Sequence, residues 1–282
     1  MTMLTWDELD NGRLLSPKLW KGMAPPAGIG SFETQSGNPA IGFFDDFYVV
    51  GTTGEGGYGF VGTGSGSVLQ IASDGITDST GMGIVRLLNT GADADEAMIF
   101  WGNALDAPFK LTGNDLVFEA RVKLSDITES SHGLFIGLAS TGACATVQCI
   151  TDDDAIFATA DFLGYQQLKG ETTAIDGMYQ VSGKTNVDGA TSGFTGLDTL
   201  ATIGVTNYIK LGFRFNAGNG TVQWFVDGVE QTDGLLKVTD ADANEADSFP
   251  DGSYMTPIAC LYNDGDTAAN LDIDWWACSQ YI

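Results

Sequence analysis

Apolar and polar side chains alternate with a period of two over much of the chain. Leu116, Phe118, Ala120, Val122 and Leu124 fall on one face of such a stretch, with Glu119, Arg121 and Lys123 on the other, as in a half-buried β-strand. Residues 208–216 repeat the pattern, with Ile209, Leu211, Phe213 and Phe215 inward and Lys210 and Arg214 outward. Ala217-Gly218-Asn219-Gly220 then reverses the chain, residues 221–226 return, and Asp227-Gly228 turns it again. A long hairpin followed by a tight turn is therefore predicted over 208–230. Further strands are expected at 43–50, 68–73, 83–88, 97–101, 134–139, 155–160, 178–181, 255–262 and 271–279. No part of this body sustains a 3.6-residue period, so two packed antiparallel sheets are expected rather than a parallel α/β fold.

Residues 1–42 break the pattern. Thr5 and Glu8 have capping-box spacing for a helical turn or two, which Asn11-Gly12 would end. Pro17, Pro25, Pro26 and Pro39 are four of the seven prolines and argue against a core strand or a long helix here. Yet Trp6, Leu14, Leu15, Leu19 and Trp20 are large apolar groups. They either pack along the chain's own body or dock onto a partner. The expected organisation is an irregular N-terminal arm, 1–42, and one β-sandwich, 43–282, with the polar, Gly-rich 182–206 stretch as a long loop.

Charge narrows the function. Twelve Lys and Arg against 37 Asp and Glu give a net charge of −25 over 282 residues, and the single histidine, His132, changes little. Such a field repels phosphate and argues against nucleic-acid binding. The acids comprise 28 Asp and 9 Glu beside 38 Gly, a balance that favours turns over helices. Cys144, Cys149, Cys260 and Cys278 form no CxxC pair and are too sparse for a disulfide scaffold, although Cys144 and Cys149 lie close enough in sequence to bridge. No signal-peptide pattern opens the chain and no 18-residue apolar run suggests a membrane span. Synthesis and folding in a cytoplasm are expected.

Phe43-Phe-Asp-Asp-Phe47 opens the body, Gly133-Leu-Phe-Ile-Gly-Leu138 follows the strand at 116–124, the hairpin carries Trp224-Phe-Val-Asp-Gly228, and residues 271–282 close the chain. This order resembles the concanavalin-A-like jelly roll over residues 43–282. The resemblance implies an antiparallel β-sandwich and leaves function open. An acidic jelly roll behind an irregular hydrophobic arm is also similar in architecture to capsid decoration proteins of tailed bacteriophages, a likeness that carries over no residue.

Candidate chemistry is sparse. Glucanases of the jelly-roll fold use a Glu-x-Asp-x-x-Glu run, because a retaining mechanism needs two carboxylates about 5–5.5 Å apart. No such run is present; Asp93-Ala-Asp95-Glu96 and Asp272-Ile-Asp274 are the nearest imitations. Asp272 and Asp274 share a face with Trp276 under strict alternation, so Trp276, together with Trp101, is a candidate glycan platform. Asp240, Asp242 and Asn244 match the first ligands of an EF-hand loop, but Glu245 and Asp251 stand where Gly and Glu belong. No metal site is favoured; Ca²⁺ stays open and no cofactor is expected. The Gly-rich runs at 54–59 and 62–66 lack the Lys-Ser/Thr and helix of a phosphate loop. His132 would have to serve any catalytic triad, and its Ser130-Ser-His-Gly133 setting suggests a turn.

Two functions follow as expectations. The first is a non-enzymatic virion protein, a capsid decoration or cement protein that docks on the major capsid protein through Trp6, Leu14, Leu15, Leu19 and Trp20 and works as a homo-oligomer on the capsid surface. The alternative is a lectin-like carbohydrate-binding module. A glycoside hydrolase ranks behind both.

Overall fold

A computed structural model describes residues 15–21, 23, 30–33, 39–45, 58–63, 68–71, 84–89, 95–101, 107–125, 132–140, 143, 160–167, 174–182, 187–188, 197–244, 248–263 and 268–282. Among them the alternating segments form two antiparallel sheets packed face to face. One, of ten strands, runs Gly30–Glu33, Pro39–Asp45, Asn270–Tyr281, Leu116–Leu124, Ile209–Asn216, Thr221–Val226 and Val229–Glu230. Leu236–Lys237 adds to Thr221–Val226, and the pair Val68–Ile71 and Val85–Leu88 adds to Asn270–Tyr281. The other, of nine strands, runs Val187–Asp188, Ala174–Gln180, Phe162–Gln167, His132–Ser140, Tyr254–Asn263, Asp95–Trp101 and Tyr58–Thr63. Ala201–Thr202 and Phe109–Lys110 extend it. The chain is an antiparallel β-sandwich.

The inward residues read from the period of two meet between the sheets. Phe118 and Phe213 stack at 5.3 Å, and Tyr165 meets the Trp224 ring edge-on at 5.1 Å. The Tyr165 hydroxyl, fully buried, donates to the Gly212 carbonyl at 2.7 Å and accepts the Phe225 N–H at 3.2 Å, joining one sheet to the other. Burying a hydroxyl costs little only when it is bonded in this way. The hairpin pairs Asn216 with Thr221 around 217–220. In the next turn Asp227 and Gly228 both hold left-handed φ values, +48° and +76°, which the two-residue connection between Val226 and Val229 requires.

Three expectations need correction. The boundary at 42 falls inside the strand Pro39–Asp45, which pairs with Gly30–Glu33 and Asn270–Tyr281; Pro39 stands first in that strand, where its missing N–H does least harm. Asp240, Asp242 and Asn244, whose run already departs from an EF-hand loop at Glu245 and Asp251, lie on the short helix Val238–Asn244. The expected long loop contains Val187–Asp188 and Ala201–Thr202 as short strands. Finally, Asn270–Tyr281 has a register shift between Ile273 and Trp275 against Leu116–Leu124. That bulge inverts the alternation, as an extra residue must, so Trp275 turns outward and Trp276 inward. Of the strand expected at 155–160, residues 155–159 lie outside the described residues, as do the Gly-rich runs at 54–57 and 64–66 and Cys144 and Cys149.

Candidate functional site

The outer face of the ten-stranded sheet carries the polar groups that no core demands. Its middle is occupied by the arm. Leu19 and Trp20 are fully buried against Val117, Phe225, Trp275 and Ala277. Glu119, outward on its strand and buried, accepts the Ser16 N–H at 2.9 Å, the Trp20 indole N–H at 2.8 Å and the Ser16 hydroxyl. Burial pushes its carboxyl above the ordinary value, against the pull of those donors. Gly212, paired with Glu119 across the strands, leaves room for the arm: a Cβ there would come within 2.5 Å of Leu19 Cδ2. Lys18 pairs with Glu230 at 2.8 Å, and the Arg214 guanidinium donates to the Lys21 carbonyl at 2.7 Å.

At one end of the arm the sheet opens into a depression of about 370 Å³ lined by Gly113, Asn114, Asp115, Ala217, Gly218, Tyr281 and Ile282. Three separate segments build it: the turn before Leu116–Leu124, the tip of the hairpin and the end of the closing strand. Register fixes them, since the Tyr281 N–H donates to the Asp115 carbonyl at 3.2 Å. The Asp115 carboxylate accepts Arg214 Nη2 at 3.0 Å on one oxygen and the Ala217 N–H at 2.9 Å on the other. Each oxygen keeps a lone pair for a further donor. Asn114 is exposed and Tyr281 half-buried. Burial raises the Tyr281 hydroxyl pKa most, with Arg214 opposing and Asp115 adding.

At the other end lies an ionic cluster around Tyr208. Arg86 reaches Asp272 in two-pronged fashion at 2.6 and 2.9 Å, Lys123 approaches the same carboxylate at 3.5 Å, and Arg121 holds Asp274. The Arg121 guanidinium lies 4.4 Å and the Lys123 ammonium 4.9 Å from the centre of the Tyr208 ring. The hydroxyl of Tyr208 is buried and has no hydrogen-bond partner among the described residues. Burial first, then Asp272 and Asp274, push its pKa up.

The structure separates the residues picked from sequence. Leu15, Leu19 and Trp20 are buried on the chain's own sheet; Trp6 and Leu14 lie outside the described residues. Trp276 is fully buried in the core and presents no face to a sugar. The bulge at Asp274 is the reason, as strict alternation would have turned it outward. Trp101 is partly buried and packs against the main core, its ring 6.0 Å from Phe109. His132 is buried at the start of a core strand. No group of three or more His, Cys, Asp or Glu side chains suited to a metal occurs among the described residues. Sequence reasoning missed Asn114, Asp115 and Tyr281.

No protein-family model and no curated protein matches the chain. Solved structures do. A protein of unknown function from Shewanella oneidensis MR-1 is 12% identical over 100% of this chain and 96% of its own, with a TM-score of 0.50. The potassium-bound carbohydrate recognition domain of Emp46p is 9% identical, covering 83% of this chain and 94% of its own, at a TM-score of 0.52. The winged bean acidic lectin, complexed with methyl-α-D-galactose, is 9% identical over 86% and 98% of the two chains, at 0.50. At such identities the likeness is one of fold, a sandwich of the concanavalin-A-like kind. The bacteriophage likeness has no support among these structures.

Proposed function

We propose that this chain is a non-catalytic carbohydrate-binding protein that holds a saccharide in the depression at Asn114, Asp115 and Tyr281. The observation that carries the proposal is the lining itself. A sugar offers vicinal hydroxyls and an apolar ring face, and the depression answers with a carboxylate, an amide and an aromatic ring in one concavity. Asp115 is already oriented by Arg214 and Ala217, so little ordering is left for binding to impose. Two sandwiches of the same fold are a carbohydrate recognition domain and a lectin complexed with methyl-α-D-galactose, which favours this function over capsid decoration. The arm-docking mechanism loses its motive because Leu19 and Trp20 are buried internally.

Asp115 is the one side-chain carboxylate among the described lining residues, whereas hydrolysis by a retaining or inverting route uses two. Asp272 and Asp274 are committed to Arg86, Lys123 and Arg121. The test is titration of the full chain with a panel of neutral and acidic saccharides. Tyr281→Ala and Asn114→Ala should each weaken binding by about tenfold or more, equivalent to about 1.4 kcal/mol; the exposed Asn114→Ala should leave thermal unfolding unchanged, whereas Tyr281→Ala also removes a ring packed on the cluster under Trp20 and should lower stability. A flat response of the parent protein across the panel would sink the proposal.

A further inference from the structure

Among the described residues, the bases of this acidic protein are gathered mostly on one side. Nine of the twelve Lys and Arg fall among the described residues. Arg86, Arg121, Lys123, Lys210 and Arg214 project outward from the ten-stranded sheet, alternating with inward residues of the core. Lys18 and Lys21 belong to the arm seated on that same face. Seven of the nine therefore share one face of a molecule whose net charge is −25. The same face carries Asp115, Glu119, Glu230, Asp272 and Asp274, and since charges more than about 8 Å away are largely screened at physiological ionic strength, a ligand held there meets a surface far less acidic than the chain as a whole.

Within the face, the cluster at Tyr208 is recessed and ordered. Its three cations keep 22%, 22% and 26% of their side-chain surface, and their two carboxylate partners keep 3% and 5%. Cations outnumber carboxylates there, and the Tyr208 O–H is a buried donor with no acceptor among the described residues. Leaving such a donor unmatched costs the folded chain its full desolvation penalty. An anionic oxygen is the acceptor that would match it beside Arg86, Arg121 and Lys123.

We propose that the Tyr208 cluster is a second subsite, which receives a carboxylate or sulfate group and makes the preferred ligand an acidic polysaccharide. This inference rests on the glycan-binding function proposed above and names its substrate class. The depression and the cluster flank the arm on one face, the former at Arg214 and Tyr281 and the latter at Arg121 and Lys123, so a polymer lying along the sheet can engage both.

Matched probes test it: dextran, carboxymethyl-dextran and dextran sulfate, which share one backbone, titrated against the full chain with sodium acetate and sodium sulfate as free-anion controls. The parent protein should bind one or both charged polymers about tenfold more tightly than dextran, the size of one charge-assisted hydrogen bond. Tyr208→Phe keeps the ring and removes the unmatched hydroxyl, so it should fold at least as stably as the parent while losing most of that preference. Lys123→Gln, which leaves Arg86 on Asp272, should do the same. Binding of neutral sugars at the depression should survive both changes, whereas Tyr281→Ala should weaken it.

Equal binding of charged and neutral polymers, with saccharide binding at the depression intact, would overturn the acidic subsite alone. A preference untouched by both variants would place the anion elsewhere and also overturn it. Competition by free acetate or sulfate at equal anion concentration would reduce the site to a simple anion site and overturn the polysaccharide assignment. Binding of no saccharide, neutral or charged, would bring down the glycan-binding function as well.

Discussion

The two outer faces of the sandwich solve the same problem in opposite ways. A sheet packed on one side still presents a second row of side chains, and that row must be solvated or covered. The nine-stranded sheet covers it with apolar side chains: Met98, Phe100, Phe135, Phe162, Met178, Ile258, Cys260 and Tyr262 form a second buried layer, with Ala143 and Ala160 packed on it from outside the strands. Among the described residues, the ten-stranded sheet is covered on a strip, beneath Leu19 and Trp20, with Arg86, Arg121, Lys123 and Arg214 part-exposed on either side of it. The polar groups of the second face stay part-exposed because the described covering segment there is narrow.

Replacing the arm's central anchor, Trp20→Ala, should break the contrast most. It removes a fully buried indole and one of three donors to Glu119, at an expected cost of about 3–5 kcal/mol in denaturant unfolding. A loss below about 1 kcal/mol would mean that the arm is no part of the cooperative unit. On the opposite face the sensitive feature is close backbone approach. Gly164→Ala places a Cβ 2.4 Å from the Ile136 carbonyl oxygen and 2.8 Å from Gly137 Cα. Since backbone cannot step aside as a side-chain end can, a loss of about 1–3 kcal/mol is expected from thermal or denaturant unfolding.

The smallest effect sharpens the chemistry beneath the arm. Because burial raises the Glu119 pKa, the folded chain holds that proton more tightly than the unfolded chain does. Its stabilising contribution is full below the ordinary value of 4.5 and is lost as pH rises through the raised value. The stability difference between the parent and Glu119→Gln should therefore fall as pH increases from 4.5. A difference that grows with pH would show that the Ser16 and Trp20 donors outweigh burial.

The strands at 116–124 and 209–226 were legible because each has one face in the core, and a period of two survives that condition. The closing strand was legible in position but not in facing, since an extra residue at Asp274 looks like any other outward acid until its pairing with Arg121 is known. The arm's prolines were informative about what it does not form. Its destination was written in the other partner: Glu119 and Gly212, adjacent on neighbouring outward positions, leave a hole beside an acid. The depression escaped notice because Asn114, Asp115 and Tyr281 lie at segment ends far apart in sequence, where no periodicity operates.

The closing strand Asn270–Tyr281 also sets a timetable. It pairs with Pro39–Asp45, Val85–Leu88 and Leu116–Leu124, and it supplies Trp275 and Ala277 to the floor under Trp20. All but this last partner leave the ribosome early. At roughly 5–20 residues per second, the segments that must flank it wait on the order of tens of seconds, with their edges unpaired, until synthesis delivers it. The ten-stranded sheet can thus assemble only after Asn270–Tyr281 has been made, and a chain interrupted before Asn270 would retain open edges where the arm should lie.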